Sequence, residues 1–165
     1  MWHQLLREDS IFLHLEAPNA EAALAEMIAM IRVPGFNARS KSRLLEFLLQ
    51  RERFGTTAIG DGIALPHCVF PDRESSFACL GISRRGISFP SLDGDPVYLI
   101  YMMVFPEEGS AHAERFRILR EAETFLKDSF VRQRLRISES PEEAYEIILR
   151  ESSHFSGPLR AAGNQ

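Results

Sequence analysis

The stretch that most constrains the fold of this chain is residues 60–67, which read GDGIALPH. Two glycines favour a tight turn before a short apolar run. The proline then fixes a backbone dihedral directly before His67. This pattern predicts a short strand with a histidine held rigidly at its end. A fixed, unprotonated imidazole serves as a nucleophile, a ligand or a base. The alternative is a strand end that merely carries a polar side chain.

Hydrophobic periodicity on both sides of this stretch predicts an α/β fold. The predicted helices are residues 20–32, 40–53, 111–127 and 141–150, with Asn19 as the N-cap of the first. The predicted strands are residues 11–15, 63–65, 77–83, 87–89 and 97–105, with turns at 84–86 and 93–96. Helices, then strands, then helices favour a single-domain sandwich in which helices flank a central mixed β-sheet.

The composition is that of a globular protein with an acidic balance. The chain has 165 residues, enough for one well-packed domain, and a net charge of −4. Because phosphate binding needs clustered Lys and Arg, the lack of long basic runs argues against nucleic-acid binding. No apolar run reaches the ~18 residues of a membrane span, and the N-terminus lacks a signal-peptide pattern. We therefore expect a cytoplasmic protein without membrane insertion, ending in a polar, frayed tail over residues 151–165.

Cys68 and Cys79 are the two cysteines of the chain. Their spacing fits neither a CxxC zinc site nor a disulfide framework, so both are interpreted as reduced thiols. No metal ion or other cofactor is predicted.

A longer motif surrounds the histidine, since residues 51–67 read RERFGTTAIGDGIALPH. It resembles the signature of the fructose/mannitol-type (type 2) enzyme IIA domains of the bacterial phosphoenolpyruvate-dependent phosphotransferase system, which include the nitrogen-regulatory IIA proteins. That signature has Arg-Glu, a Gly-Ser-Thr-like turn, a glycine and an Ile-Ala-Ile-Pro-His-like strand end. Spacing and residue types agree over all 17 positions. A weaker match of the helix and strand pattern extends over residues 5–150, the predicted domain.

This resemblance implies a phosphoryl relay in which a histidine phosphocarrier protein phosphorylates His67. The group would then pass to a permease domain or act as a signal to a regulatory target protein. Near pH 7 a histidine is largely neutral and nucleophilic, and the planar fork of Arg51 can grip two phosphate oxygens. Thr56 and Thr57 offer hydroxyl donors, and the amides of residues 60–62 are expected to line the anion site.

The sequence departs from the family at two positions. Members commonly carry a second histidine at the start of the helix after the last long strand, and the alignment places Arg115 there. Either a register shift in residues 106–111 brings His112, one helical turn earlier, into the site, or Arg115 fills it as a permanent cation that slows transfer. Cys68 stands where the family usually has glycine, which would be strained if the backbone dihedral there is positive.

Three functions are therefore considered. The first is a phosphocarrier, with the nitrogen-regulatory type favoured over sugar transport because no membrane domain is attached. Its donor surface is expected to be apolar, with Phe70 and Phe105 at the rim. The second is a regulatory binding module with the same fold and impaired transfer, in which case the chain is no enzyme. The third is a metal- or thiol-dependent hydrolase built on His67 and Cys68. The sugar and the oligomeric state are not predicted.

Overall fold

A six-stranded mixed sheet forms the centre of this protein, in a computed structural model that describes residues 1–109 and 111–155. The strands are β1 (Leu6–Phe12), β2 (Ala58–Gly60), β3 (Ile63–Ala64), β4 (His67–Val69), β5 (Phe77–Ile87) and β6 (Val97–Phe105). The helices of this part are a short 3-10 helix (Trp2–Leu5), α1 (Ala20–Met30), α2 (Ala38–Arg53), α3 (His112–Leu126), α4 (Ser129–Ile137) and α5 (Pro141–Phe155).

The strand order is β1-β5-β6-β3-β2, and β4 also pairs with β6. Strands β5 and β6 are antiparallel, whereas β1 runs parallel to β5, and both β3 and β4 run parallel to β6. Along one edge of β6, Ile63 lies opposite Leu99 and His67 lies opposite Met103. The chain therefore follows β6 in two short steps, which bring His67 to the carboxyl end of that strand.

Both faces of β6 are buried, because successive side chains of a strand point to opposite faces. Leu99, Tyr101 and Met103 pack in a core with α3, α4 and α5. Ile100 and Met102 pack in a second core with α1 and α2. The predicted sandwich of helices around a mixed sheet is confirmed.

Several predicted elements are found with small shifts in their ends. Helices α1, α2 and α3 match the predicted helices, and the Asn19 side chain accepts the Ala22 N–H at 2.9 Å as the predicted cap. Helix α5 ends at Phe155 rather than near residue 150. The other residues of the predicted tail, 156–165, lie outside the described residues.

Two predictions about local structure are wrong, and one helix was missed. The first strand ends at Phe12, because His14 has a positive φ of 61° that breaks the extended backbone. Residues 84–86 continue β5 rather than form a turn, since Gly86 takes a positive φ that accommodates a register shift. Helix α4 was not predicted, because Val131 and Leu135 are its only buried apolar residues.

Candidate phosphoryl-transfer site

His67 is positioned by a tight hairpin and by the strand ladder. Asp61 and Gly62 form a two-residue connection between β2 and β3, and both have positive φ, as a primed hairpin turn requires. After Leu65 and Pro66, His67 starts β4 rather than ending β3. The Met103 N–H donates to the Pro66 carbonyl at 2.9 Å, which fixes the backbone directly before the imidazole.

The imidazole of His67 is held in one tautomer. Its Nδ1 lies 2.9 Å from the Leu65 carbonyl oxygen, which only accepts hydrogen bonds, so Nδ1 carries the hydrogen. In the neutral ring this arrangement leaves the lone pair on Nε2. Burial is the main cause that lowers the pKa of His67 below its ordinary 6.5, and the positive charge of Arg51 lowers it further. The hydrogen bond to Leu65 and the negative charge of Glu52 raise the pKa, but the net shift is downward. The imidazole of His67 is therefore neutral at pH 7.

A cleft of about 390 Å³, called the His67 cleft below, opens beside this ring. Its lining residues are Arg51, His67, Cys68, Val69, Phe105, His112, Arg115, Phe116 and Leu119. Helices α2 and α3 lie on opposite faces of the sheet, and among the described strands β4 pairs with β6 alone. The cleft therefore lies at the sheet edge, where the end of α2 meets the start of α3. It brings together four of the six predicted site residues.

Arg51 contributes a cation from the last turn of α2. One guanidinium nitrogen donates to the Gly55 carbonyl at 3.0 Å, which fixes the direction of the side chain. A guanidinium has five N–H donors, so this bond leaves enough of them for two oxygens of a phosphoryl group. The arrangement places a fixed positive charge beside a neutral imidazole.

The two predicted threonines do not belong to the described lining of the His67 cleft. The buried Thr57 donates both its hydroxyl and its backbone N–H to the Glu52 carboxylate. The Thr56 hydroxyl accepts the Ala58 N–H at 3.1 Å, which leaves its own hydrogen available for donation. The two hydroxyls therefore differ: Thr57 is engaged by Glu52, and Thr56 keeps a donor.

The turn at residues 60–62, whose amides were predicted to line the anion site, has one of those amides engaged elsewhere. The Asp61 N–H donates to the Asp93 carboxylate at 2.9 Å, and this carboxylate also lies against Gly60. Residues 60–62 are not among the described residues that line the His67 cleft. Their role in this structure is to turn the chain into β3.

His112 and Arg115 both line the His67 cleft. His112 is the first residue of α3 and is exposed, and Arg115 follows one turn later and is half-buried. The structure thus brings both candidates for the family's second active-site position, His112 and Arg115, to the same cleft. Which of them acts on a phosphoryl group stays a prediction.

Cys68 occupies an ordinary strand position opposite Val104. Positive φ occurs at other residues, so the backbone strain considered for a cysteine here does not arise. Burial raises the pKa of its thiol to about 12, so the thiol stays protonated at neutral pH. Among the described residues, no group of three or more His, Cys, Asp or Glu side chains could hold a metal ion.

The predicted rim of the cleft is found only in part. Phe70 is 0% exposed and belongs to the second core, so it does not form a rim. Phe105 lines the His67 cleft, but at 1% exposure it lies within the first core rather than on a surface rim. Phe116 is 56% exposed and lines the His67 cleft. An exposed aromatic side chain at this position gives the cleft an apolar border.

The sequence profile described as "Phosphoenolpyruvate-dependent sugar phosphotransferase system, EIIA 2" matches residues 4–151 of this chain. The chain belongs to this family. A nitrogen regulatory protein of Bradyrhizobium diazoefficiens is 31% identical over 87% of this chain and 92% of that protein. A fructose-specific EIIABC component of Bacillus subtilis is 29% identical over 88% of this chain, which corresponds to only 22% of the larger protein.

A solved structure has the same fold as this chain. The nitrogen regulatory protein IIA-Ntr of Neisseria meningitidis aligns with a TM-score of 0.78 and 24% identity, over 88% of this chain and 97% of that chain. The family profile and the Bradyrhizobium relative confirm the recognition of a type 2 EIIA domain from residues 51–67. No described helix is long and apolar enough to cross a membrane.

The EIIA signature also contains Glu52, for which the sequence analysis predicted no role. Glu52 follows Arg51 directly, and its side chain turns back to bind Thr57. The signal for this residue was its place in the motif, but its partner depends on the path of the loop after α2.

Proposed function

We propose that this chain is a phosphocarrier that accepts a phosphoryl group on Nε2 of His67 from a histidine phosphocarrier protein. It acts in the cytoplasm and passes the group on or holds it as a regulatory signal. The observation that carries this proposal is the His67–Leu65 hydrogen bond, which directs the ring lone pair to Nε2 beside the cation of Arg51.

The transfer step follows from this geometry. Nε2 attacks the phosphorus atom of the donor phosphohistidine, a new N–P bond forms, and the donor N–P bond breaks. The electron pair of the broken bond returns to the donor imidazole. The His67 ring gains positive charge while Nδ1 keeps its hydrogen, and the Leu65 carbonyl stabilises that charge. Arg51 stabilises the negative charge on the phosphoryl oxygens in flight.

A nitrogen-regulatory role is favoured over sugar transport. Nitrogen regulatory proteins of Bradyrhizobium diazoefficiens and Pseudomonas aeruginosa are 31% and 32% identical to this chain, and the fructose-specific component of Bacillus subtilis is 29% identical. The downstream partner is then a regulatory target protein rather than a permease domain. Its surface would meet the exposed Phe116 at the edge of the His67 cleft.

Labelling with phosphoenolpyruvate, enzyme I and the phosphocarrier protein tests the proposal. We expect one acid-labile phosphoryl group on the wild-type chain and none on His67→Ala. His154→Ala is the matched control, because His154 is exposed near the end of α5 and should leave labelling unchanged. An unlabelled wild type, or equal labelling of His67→Ala, would contradict the proposal.

A second candidate, a binding module with impaired transfer, is favoured by one observation. Arg115 lines the His67 cleft as a permanent cation that can hold a phosphoryl group but cannot titrate. A chase with unlabelled donor separates the two candidates. Rapid loss of label supports the phosphocarrier, and label that persists unless Arg115 is replaced by histidine supports the binding module.

A further inference from the structure

A continuous series of hydrogen bonds runs from helix α2 to the imidazole of His67. The Glu52 carboxylate accepts the hydroxyl and the N–H of Thr57, the latter at 3.2 Å. The Thr57 carbonyl accepts the Leu65 N–H at 2.9 Å. The Leu65 carbonyl then binds Nδ1 of His67 at 2.9 Å. Each link fixes the group that makes the next one.

We infer that Glu52 is a positioning residue for His67, which acts through Thr57 and Leu65 to keep the ring hydrogen on Nδ1 and the lone pair on Nε2. The inference rests on the proposed function, in which Nε2 is the atom that receives the phosphoryl group. Glu52 itself is not among the described residues that line the His67 cleft, so it acts through its neighbours.

The place of Glu52 in the helix supports a role beyond helix stability. The carboxyl end of a helix carries partial negative charge and favours cations, so an acidic side chain in the last turn of α2 is electrostatically unfavourable there. Its two bonds to Thr57 offset this cost, and they anchor the segment that carries the chain from α2 to β2. The negative charge also acts on His67 directly, because it raises the pKa of the imidazole against the effects of burial and Arg51.

This assignment changes the role expected of Thr57. Its hydroxyl hydrogen is engaged by Glu52, so Thr57 serves as a structural link rather than as a donor to phosphate. Thr56, whose hydroxyl accepts the Ala58 N–H and keeps its hydrogen, is the threonine suited to donate to a phosphoryl oxygen.

Glu52→Gln tests the inference, because the amide of glutamine retains only one accepting atom for the two Thr57 donors. Nitrogen-15 NMR of the unphosphorylated protein should show the Nε2–H tautomer of His67 appearing beside the Nδ1–H tautomer. The pKa of His67 should fall below the wild-type value, since a negative charge is removed. The rate of labelling should decrease about tenfold. Glu46→Gln is the matched control, because Glu46 is exposed on the same helix.

Two further variants keep the test decisive if Glu52→Gln destabilises the fold. Thr57→Ser retains the hydroxyl and should preserve the wild-type tautomer, whereas Thr57→Val should mix the tautomers and slow labelling. The inference is overturned if Glu52→Gln keeps the Nδ1–H signal and the wild-type rate, or if Thr57→Ser and Thr57→Val behave alike. A wild type that takes no label would contradict only the proposed function, because the tautomer is measured without phosphate.

Discussion

The two walls of the His67 cleft are built differently. The α2–β4 wall, comprising Arg51, His67, Cys68 and Val69, is held by a strand ladder and by side-chain hydrogen bonds to backbone carbonyls. The α3 wall, comprising His112, Arg115, Phe116 and Leu119, is the start of a helix whose N-cap residue, Ala111, makes no side-chain capping bond. A helix start without such a cap is less stable by roughly 1 kcal/mol.

This difference indicates that, in the proposed phosphocarrier, the two walls have different roles. Phosphoryl transfer depends on the exact placement of the nucleophile and of the charges around it. The α2–β4 wall supplies that placement. The α3 wall presents exposed side chains, His112 and Phe116 among them, and therefore suits the adjustment of rate and the contact with partners. Substitutions in the two walls should differ in size accordingly.

Loss of the Arg51 guanidinium should have the largest effect after loss of His67 itself. We expect Arg51→Ala to reduce the rate of labelling by about 10²–10³-fold, as is typical when a preorganised donor to a developing charge is removed. Arg51→Lys should recover only part of the rate, because an ammonium cannot form the two-pronged contact. Single-turnover labelling measures both, with the exposed Arg53→Ala as a control from the same turn. A rate for Arg51→Ala within threefold of the wild type would contradict the role of this wall.

The pH dependence of transfer should follow the lowered pKa of His67. Burial and the Arg51 charge lower the pKa of His67, so the ring stays neutral at pH values somewhat below its ordinary pKa of 6.5. The rate of transfer should therefore be constant above pH 6.5. Below the lowered pKa, the rate should fall about tenfold per pH unit. Because the unfolded chain binds this proton at about pH 6.5, stability should also decline as the pH falls below that value.

NMR titration of His67 provides the measurement, with its signal assigned from the His67→Ala spectrum. Arg51→Ala should shift the titration upward, because the positive charge that lowers the pKa is gone. A midpoint above 6.5 in the wild type would contradict the lowered pKa.

The sequence predicted the α2–β4 wall far better than the α3 wall. Residues 51–67 carry turn glycines, a proline and a fixed spacing, which are local signals that survive in any tertiary context. The run at 97–105 likewise predicted a strand, and β6 spans the same residues. By contrast, the exposure of Phe116 depends on how α3 lies over the sheet, which helical spacing alone does not define.

Two kinds of contact could not be predicted at all. The bonds from Glu52 to Thr57 depend on the path of the loop after α2, where the sequence indicates only a turn. The Asp61–Asp93 contact joins residues far apart in the chain, and it removed an amide that the motif had suggested for phosphate. Local patterns identify which residues share a site, whereas hydrogen-bond partners depend on tertiary packing.

Substitutions in the α3 wall should change the rate modestly. We expect His112→Ala to slow labelling by about two- to fivefold, the size expected for an exposed charged or polar contact. Arg115→His should leave both acceptance and release of the label within the same range in a chase experiment, because a phosphocarrier already releases the label rapidly with Arg115 in place. An effect of His112→Ala as large as that of Arg51→Ala would show that both walls hold the reacting groups, and the proposed division would fail.

Replacement of Cys68, the residue after His67, should have the smallest effect on the rate of transfer. Cys68→Gly should leave the labelling rate within about twofold of the wild type, because the backbone here has no positive φ that glycine would relieve. The free energy of unfolding should drop by about 1–2 kcal/mol, since the change empties a buried position and loosens a strand. Chemical denaturation measures the second quantity.

Alkylation of the Cys68 thiol tests whether the α2–β4 wall is rigid in solution. With a pKa of about 12 and a buried sulfur, Cys68 should resist alkylation at neutral pH in the folded protein and react only after unfolding. Rapid alkylation of the native chain that also abolished labelling would mean that the α2–β4 wall opens in solution. The rigidity assigned to this wall would then belong to the hydrogen bonds of His67 alone and not to the strand that carries it.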